Sequence, residues 1–283
     1  MSRFSTSLLG EAKTLLLSTD GSQYSEGAVQ EAIFFGQACQ AKIIALHVVK
    51  IEAESLKSAN AGVTRKRKEI APHFEEIRKM ARDAGVECET LVVGSSMPEN
   101  AIVEQAQLRK ADVILMGRHG RAGRLYLMVG SMTAKIIGLG FPMVLVLPKE
   151  SMLTGTHVLV AVDDSPNSRL AVEEALSLGM CCVTLERLTF VAVAGRQRGL
   201  DKAMAMAEAA CARGREKWPH LRFEAVADVG HPSNIIVRAA EERHVDMIMI
   251  GGMSPSPLPR MFTGRVTKEV CGWAHCAVLV VTA

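Results

Sequence analysis

Several features that would assign this chain to a broad functional class are missing from it. No run approaches the ~18 apolar residues that a membrane-spanning helix needs, and the opening MSRFSTSLLGEAK has no apolar core of the length found in signal peptides. The net charge of +3 is too small to indicate a nucleic-acid partner, and the 7 cysteines form no C-x-x-C pair. We therefore expect a cytosolic protein with reduced thiols that binds neither nucleic acid nor membrane.

Common nucleotide and metal motifs are also absent. There is no G-x-x-x-x-G-K-[ST] loop, and no G-x-G-x-x-G follows the first apolar run. Cys271, His275 and Cys276 are close in sequence, but Cys276 begins an apolar run and no second ligand pair lies nearby. The sequence therefore predicts no metal site. It also shows no activated nucleophile, so no catalytic residue is predicted.

What the sequence does contain is an internal repeat. Shifted by 143 residues, TLLLSTDGSQYSEGAVQEAIFFG (residues 14–36) lies on HVLVAVDDSPNSRLAVEEALSLG (residues 157–179), with nine of 23 positions identical. Shifted by 134 residues, Asp112, Gly117, Gly130 and Gly138 fall on Asp246, Gly251, Gly264 and Gly272, and VLV at 144–146 falls on VLV at 278–280. The halves are therefore duplicates. We predict two domains, residues 1–150 and 155–283, joined near the polar linker PKESMLTGT.

Each half alternates strands with helices. The first half has predicted strands at residues 14–19, 42–49, 87–93, 111–117 and 142–148, and predicted helices after Ser22 or Ser25 and at about 64–84, 98–109 and 131–139. Short apolar runs are typical of strands buried on both faces. The alternation predicts two tandem doubly wound α/β domains, each a five-stranded parallel sheet with helices on both faces. The basic cluster at residues 65–68 is interpreted as a solvated helix face.

The stretch LMGRHGRAGRLYLMVGSMT, residues 115–133, follows the fourth strand, where ligands bind in sheets of this class. Gly117 and Gly120 allow close backbone approach or positive φ. Gly130 precedes a helix start, whose free N–H groups and dipole attract phosphate. We interpret the stretch as a phosphate cradle with a nine-residue flap, residues 121–129; a glycine-rich β–α turn with a Ser N-cap is the alternative. Three arginines add charge: Arg118, Arg121 and Arg124.

Asp20 ends the neighbouring first strand. Its carboxylate can accept hydrogen bonds from an adenine amino group or a ribose hydroxyl. The alternative is an aspartate that only shapes the turn or the start of the helix. Both interpretations place Asp20 at the edge of the sheet where a ligand is expected.

Together these residues resemble the universal stress protein family, in its tandem form. The family's ATP-binding pattern, G-x2-G-x9-G-[ST], is complete at Gly117, Gly120, Gly130 and Ser131. The family's first strand also ends in Asp, and the second strand is similar to ALHVV at residues 45–49, in which His47 is interpreted as a core or family-pattern residue. The resemblance covers nearly the whole chain.

The resemblance implies that ATP is the ligand. Mg²⁺ often accompanies bound phosphates, although no acidic ligand of the Walker type is visible for it. Carried over by position, adenine would lie near Thr19, Asp20, Val48 and Met116, and the ribose and phosphates near Gly117, Arg118, His119, Gly120, Arg121, Gly130, Ser131, Met132 and Thr133.

The second half departs from the pattern in IGGMSPSPLPRMFTGRVT, residues 250–267. Ser254 stands at the place of the second glycine and Arg265 at the place of the serine. Prolines 255, 257 and 259 each remove a backbone N–H donor. We therefore predict a degenerate nucleotide motif, in which Arg265 could still attract an anion. The second half would then serve packing, partner contact or another ligand.

Two functions fit these observations. The first is a stress-response module whose ATP occupancy changes its conformation or partner binding. The second is a slow ATPase or an ATP-using enzyme on the same fold. No general base beside the phosphates and no second-substrate signature is evident, so the first is favoured.

Assembly is predicted from the last strand of each half. PMVLVLP and CAVLVVT are apolar edge-strand candidates, and uncovered edges associate. Single-domain members of the family that the chain resembles pair through these strands. We therefore expect the two strands to pair within the chain, and a homodimer of chains is left open.

Overall fold

The computed structural model describes residues 9–52, 56–118, 130–150, 153–180, 182–252 and 264–283. Along these ranges, no helix combines the length and apolar composition needed to cross a bilayer. Ten strands and eight α-helices alternate through the described parts of the chain.

The first half contains β1 (Thr14–Ser18), α1 (Glu26–Cys39), β2 (Lys42–Lys50), α2 (Leu56–Asp83), β3 (Cys88–Ser95), α3 (Pro98–Leu108), β4 (Val113–Gly117), α4 (Ser131–Gly138) and β5 (Met143–Leu147). The second half contains β6 (His157–Val162), α5 (Pro166–Ser177), β7 (Arg187–Ala194), α6 (Leu200–Lys217), β8 (Arg222–Val229), α7 (Pro232–Glu242), β9 (Met247–Gly251), α8 (Arg265–Trp273) and β10 (Ala277–Val281). Both halves follow the same order of elements, as the repeat predicts.

The ten strands form one sheet in the order β3-β2-β1-β4-β5-β10-β9-β6-β7-β8. All pairs within each half are parallel. This confirms the predicted α/β class, with five parallel strands from each half. The two sets of strands are joined into one sheet.

The junction between the halves is the antiparallel pair β5–β10. Val146 lies opposite Val278 and Val144 opposite Val280. All residues of both strands are buried, so each half covers the other's apolar edge. This confirms the predicted internal pairing of the last strands.

Helices cover both faces of the sheet because side chains of a strand alternate between faces. Leu15 and Leu17 belong to the core under α1 and α2, together with Phe35 and Ile77. Leu16 belongs to the opposite core, under α3 and α4. The helices therefore change from one face of the sheet to the other between α2 and α3. In the sheet, the strand order reverses between β1 and β4.

One local prediction differs from the structure. Helix α2 begins at Leu56 instead of about residue 64. The serine, asparagine and glycine of this extra segment have weak helix propensity, but Val63 packs on the core and holds the segment there. Residues 65–68 are thus inside the helix rather than at its head, and they are exposed as predicted.

Candidate functional site

The candidate site lies at the edge where β1, β2 and β4 end. Ser18 is aligned with Leu46 in β2 and with Met116 in β4. The next residue, Thr19, therefore lies between the ends of both neighbouring strands. Because β1 and β4 flank the point where the strand order reverses, this edge is the crevice in which such sheets bind ligands.

This register brings the predicted adenine-side residues together. Thr19 and Met116 are buried, Val48 is half-buried and Asp20 is exposed. The apolar side chains can supply packing area for a ring, and the exposed carboxylate of Asp20 can accept hydrogen bonds.

The turn after β1 is fixed by its own side chains. Asp20 Oδ1 accepts from the Ser22 N–H at 3.0 Å, and Ser22 Oγ accepts from the Tyr24 N–H at 3.3 Å. Ser22 thus caps a short 3₁₀ turn, Gln23–Ser25, that precedes α1. Gly21 has φ +75°, a conformation that glycine adopts at little cost. Asp20 therefore has the turn-shaping role that was predicted as the alternative.

His73 is a residue of this edge that sequence reasoning missed. It lies on α2, and its Nε2 is 2.9 Å from Thr19 Oγ1. Burial lowers the pKa of the His73 imidazole, and the nearby carboxylates of Glu76 and Asp20 offset part of this decrease. Nothing in the spacing of residues 19 and 73 marks the contact, because it depends on how α2 packs over the β1–α1 turn.

The predicted phosphate side begins at Gly117. A Cβ there would lie 2.3 Å from the Tyr24 carbonyl oxygen, and Gly117 is outside the positive-φ region. At the matching Gly251, a Cβ would lie 2.8 Å from the Ser168 N. Both glycines are therefore needed by the chain's own packing. Of the two reasons predicted for Gly117, close backbone approach or positive φ, the structure excludes positive φ.

Gly130 occupies the N-cap of α4, with φ −53° and ψ 145°. This is ordinary extended backbone, which any residue adopts. Ser131 is the first helical residue and exposed, so Gly130 is the N-cap instead of the serine that the alternative prediction named. Met132 is half-buried and Thr133 is buried. Because β4 and β5 are parallel neighbours, the helix between them must start at the edge where β4 ends.

The Arg118 side chain has partners that differ from those predicted. Its Nη1 donates to the carbonyl oxygens of Cys271, Gly272 and Ala274 at 3.3, 3.0 and 2.6 Å. These carbonyls end α8 in the second half, where the helix dipole is negative. Burial lowers the pKa of the guanidinium. The prediction that its charge faces a phosphate is corrected, because the guanidinium is engaged across the junction; its backbone N–H donates to Leu147 at 2.7 Å.

Three predicted site residues, His119, Gly120 and Arg121, lie outside the described residues, as do Arg124 and the rest of the flap. In the second half, Ser254 and prolines 255, 257 and 259 lie outside them as well.

The second half keeps the first turn of the site. Asp163 Oδ1 accepts from the Ser165 N–H at 2.8 Å, as Asp20 does from Ser22. Ser165 Oγ accepts from the Ser168 N–H at 3.1 Å and caps α5. Asp163 is therefore part of the turn that leads to the Ser165 cap of α5.

The start of α8 differs from the start of α4. Gly264, at its N-cap, has φ 102°. Arg265 Nε donates to Glu269 Oε1 at 2.6 Å, and Ser233 Oγ donates to Glu269 Oε2 at 2.7 Å. The charge of Arg265 is thus matched by a carboxylate of the same helix, which weakens its attraction for an anion.

Comparisons with known proteins agree with the architecture. The sequence profile of the Universal stress protein family matches residues 11–148 and 155–282. Universal stress protein MJ0531 of Methanocaldococcus jannaschii is 30% identical over 143 residues, which are 48% of this chain and 82% of that protein.

Two solved structures have the fold of the whole chain. The crystal structure of a universal stress protein from Archaeoglobus fulgidus matches with a TM-score of 0.75 at 19% identity, over 96% of this chain and 99% of the other. A putative universal stress protein from Pseudomonas aeruginosa matches with a TM-score of 0.69 at 15% identity, over 97% and 95% of the two chains.

Proposed function

This chain belongs to the universal stress protein family, and from that membership we propose that its first half, residues 1–150, binds ATP as a regulatory module in a stress response. Occupancy of the site changes the conformation or the partner binding of the chain. The second half, residues 155–283, keeps the fold and carries a degenerate site.

One observation carries this proposal: the strand ends that hold Thr19, Val48 and Met116 meet at the edge where strand order reverses, and the complete G-x2-G-x9-G-[ST] pattern starts at that edge. Adenine fits beside Asp20, Val48 and Met116. The phosphates fit the open N-terminus of α4, where the first N–H groups lack helical partners. The proposed contacts are Thr19, Asp20, Val48, Met116, Gly117, the backbone of Arg118, His119, Gly120, Arg121, Gly130, Ser131, Met132 and Thr133.

The geometry of Gly130 supports a site of close backbone approach. Its φ and ψ are those of any residue, so the backbone conformation does not explain the glycine. A bound phosphate would explain it, because a side chain at the N-cap would stand between the anion and the N–H groups of the helix. Mg²⁺ would accompany the phosphates through water and the phosphate oxygens, as it does where a protein offers few carboxylates.

The test is calorimetric titration of the full chain with ATP, compared with Gly130→Val and Gly138→Ala. Gly130→Val fits the observed backbone and should abolish binding while the circular dichroism spectrum stays unchanged. Gly138 lies on the same helix with nothing within 4 Å of an added Cβ, so Gly138→Ala should bind ATP like the parent. Equal binding by Gly130→Val and the parent would contradict the site.

An ATP hydrolysis assay distinguishes the regulatory module from the alternative, an ATP-using enzyme. An ordinary enzyme turns over about once per second or faster. We expect the purified chain to release phosphate from ATP far more slowly than that, with Gly130→Val as the matched background control. Turnover above that rate, lost in Gly130→Val, would contradict the module and favour an ATP-using enzyme.

A further inference from the structure

The Thr19 hydroxyl contacts three groups around Asp20. Its Oγ1 accepts from the Gly21 N–H at 3.2 Å and donates to Ser25 Oγ at 3.0 Å. His73 Nε2 lies 2.9 Å away. One buried hydroxyl therefore binds the residues on both sides of Asp20 to α1 and α2.

The direction of each proton in this network can be worked out. Ser25 Oγ donates its single proton to the Ser22 carbonyl oxygen at 2.8 Å, so it accepts the proton of Thr19. Because a hydroxyl has only one proton, Thr19 has none left for His73. His73 must then donate through Nε2–H. The chain runs from His73 to Thr19, Ser25 and the Ser22 carbonyl.

A second histidine fixes the same segment from the other side. His47 Nδ1 lies 2.9 Å from the Thr19 carbonyl oxygen. A carbonyl only accepts, so His47 donates through Nδ1–H. His47 thereby holds the peptide between Thr19 and Asp20, while His73 holds the Thr19 side chain.

The second half supplies an internal comparison. Val162 stands at the place of Thr19 and Ala192 at the place of His47. Its turn is held instead by Ser168, whose Oγ accepts from the Asp163 N–H at 2.8 Å. Helix α6, the counterpart of α2, contains no histidine. A turn of this type therefore folds without the hydroxyl and without either histidine, and the fold alone does not account for them in the first half.

The charges around His73 come from four elements. Glu76 lies on α2, Asp20 at the end of β1, Glu26 at the start of α1 and His47 on β2. Burial has the largest effect and lowers the pKa of His73. At neutral pH the ring is thus a neutral donor, which the proton chain requires.

We infer that His73, on a helix outside the G-x2-G-x9-G-[ST] pattern, is a positioning residue for the nucleotide: through Thr19 it holds Asp20 in the orientation that receives adenosine. This inference rests on the proposed ATP site in the first half. His73 acts through Thr19 and does not itself need to touch the ligand.

The test is a double-mutant cycle in the full chain with Thr19→Val, His73→Phe and the double variant. His73→Phe keeps a ring but removes the donor, and Thr19→Val copies the second half. His73→Phe should weaken ATP binding by about fivefold, the effect of one lost hydrogen bond. Thr19→Val also removes the contacts to Gly21 and Ser25 and should weaken binding by at least as much. The double variant should lose no more than Thr19→Val alone, because Thr19→Val already removes the bond to His73. Thr19→Val also carries the test if His73→Phe does not fold.

Rescue and spectroscopy complete the experiment. His73→Gln retains an N–H donor and should bind ATP within about twofold of the parent, as should His220→Gln, a control at an exposed site. Nitrogen NMR of the ATP-free chain should show His73 protonated on Nε2. Parent-like binding by both Thr19→Val and His73→Phe, additive losses in the double variant, or an Nδ1-protonated His73 would overturn the inference while leaving the ATP site in place. A parent chain that binds no ATP would overturn the proposed function, and the positioning role with it.

Discussion

Arg118 of the first half donates a hydrogen bond of 2.6 Å to the carbonyl oxygen of Ala274 in the second half. Two further carbonyls of the same helix end share the donor group. The arginine follows β4 directly and precedes the predicted flap, so the chain segment of the candidate site is tied to the opposite half.

Removing this guanidinium should destabilise the whole chain. Arg118→Met keeps part of the apolar stem but leaves helix-end carbonyls without their charged donor, at a cost of about 2–3 kcal/mol in the free energy of unfolding. Arg118→Lys should recover only part of the loss, because an ammonium cannot reproduce the planar guanidinium. Urea unfolding measures both, and an Arg118→Met chain as stable as the parent would contradict the role.

Gly117→Ala should lower stability for a different reason. Its new Cβ would meet the Tyr24 carbonyl oxygen at 2.3 Å, and relieving that contact requires a backbone shift worth about 1–3 kcal/mol. Gly62→Ala is the matched control: it lies within α2 with nothing within 4 Å of the added Cβ, and should stabilise by about 0.5–1 kcal/mol. Thermal melts of the two variants should move in opposite directions.

Stability should fall on mild acidification. Burial, with the nearby Arg187, lowers the pKa of His157, whose ring contacts Thr189 Oγ1 at 2.8 Å. Below the ordinary pKa of 6.5, the unfolded chain binds a proton that the folded chain does not, so the free energy of unfolding decreases as pH falls. The contribution of His157 to the free energy of unfolding is fully present above that pH. Urea titrations from pH 7.5 to 5.5 should show the decrease, with a shallower slope in His157→Gln; equal slopes would rule His157 out as a source.

Binding stoichiometry should be asymmetric. The N-terminus of α8 has Gly264 at φ 102° and an Arg265 already paired with Glu269. Loss of even two charge-assisted hydrogen bonds would weaken binding at least about a hundredfold. Calorimetry should therefore give close to one ATP per chain. Glu269→Gln frees Arg265 but should not create a second tight site; two equivalent sites in the parent would contradict the asymmetry.

The repeat made the fold predictable because most of the repeated residues serve the backbone. Asp112 accepts from the N–H groups of Lys13 and Thr14 at 2.8 and 3.0 Å. Asp246 does the same at the start of β6, from Thr156 and His157. These carboxylates align the first strand of each half with its neighbour, so their recurrence in sequence predicts a recurring architecture.

The candidate site was predictable only where its residues stand at the ends of strands. Thr19 and Met116 come together because parallel strands end at one edge. His73 and Arg118 could not be assigned, since their partners depend on how α2 packs over a turn and on how β5 meets β10. Arg118 and Ala274 are 156 residues apart, and no local pattern records such a contact.

Because β5 and β10 pair antiparallel, the strands of the two halves run in opposite directions within one sheet. Strands of the first half end at one edge, and strands of the second half end at the opposite edge. Along the strand direction these two edges are separated by about 17 Å, the length of a five-residue strand. A partner that contacts the end of the sheet with the candidate site therefore leaves the other end uncovered unless it reaches across the full sheet. The two sets of strands present their carboxyl ends to opposite sides of the molecule.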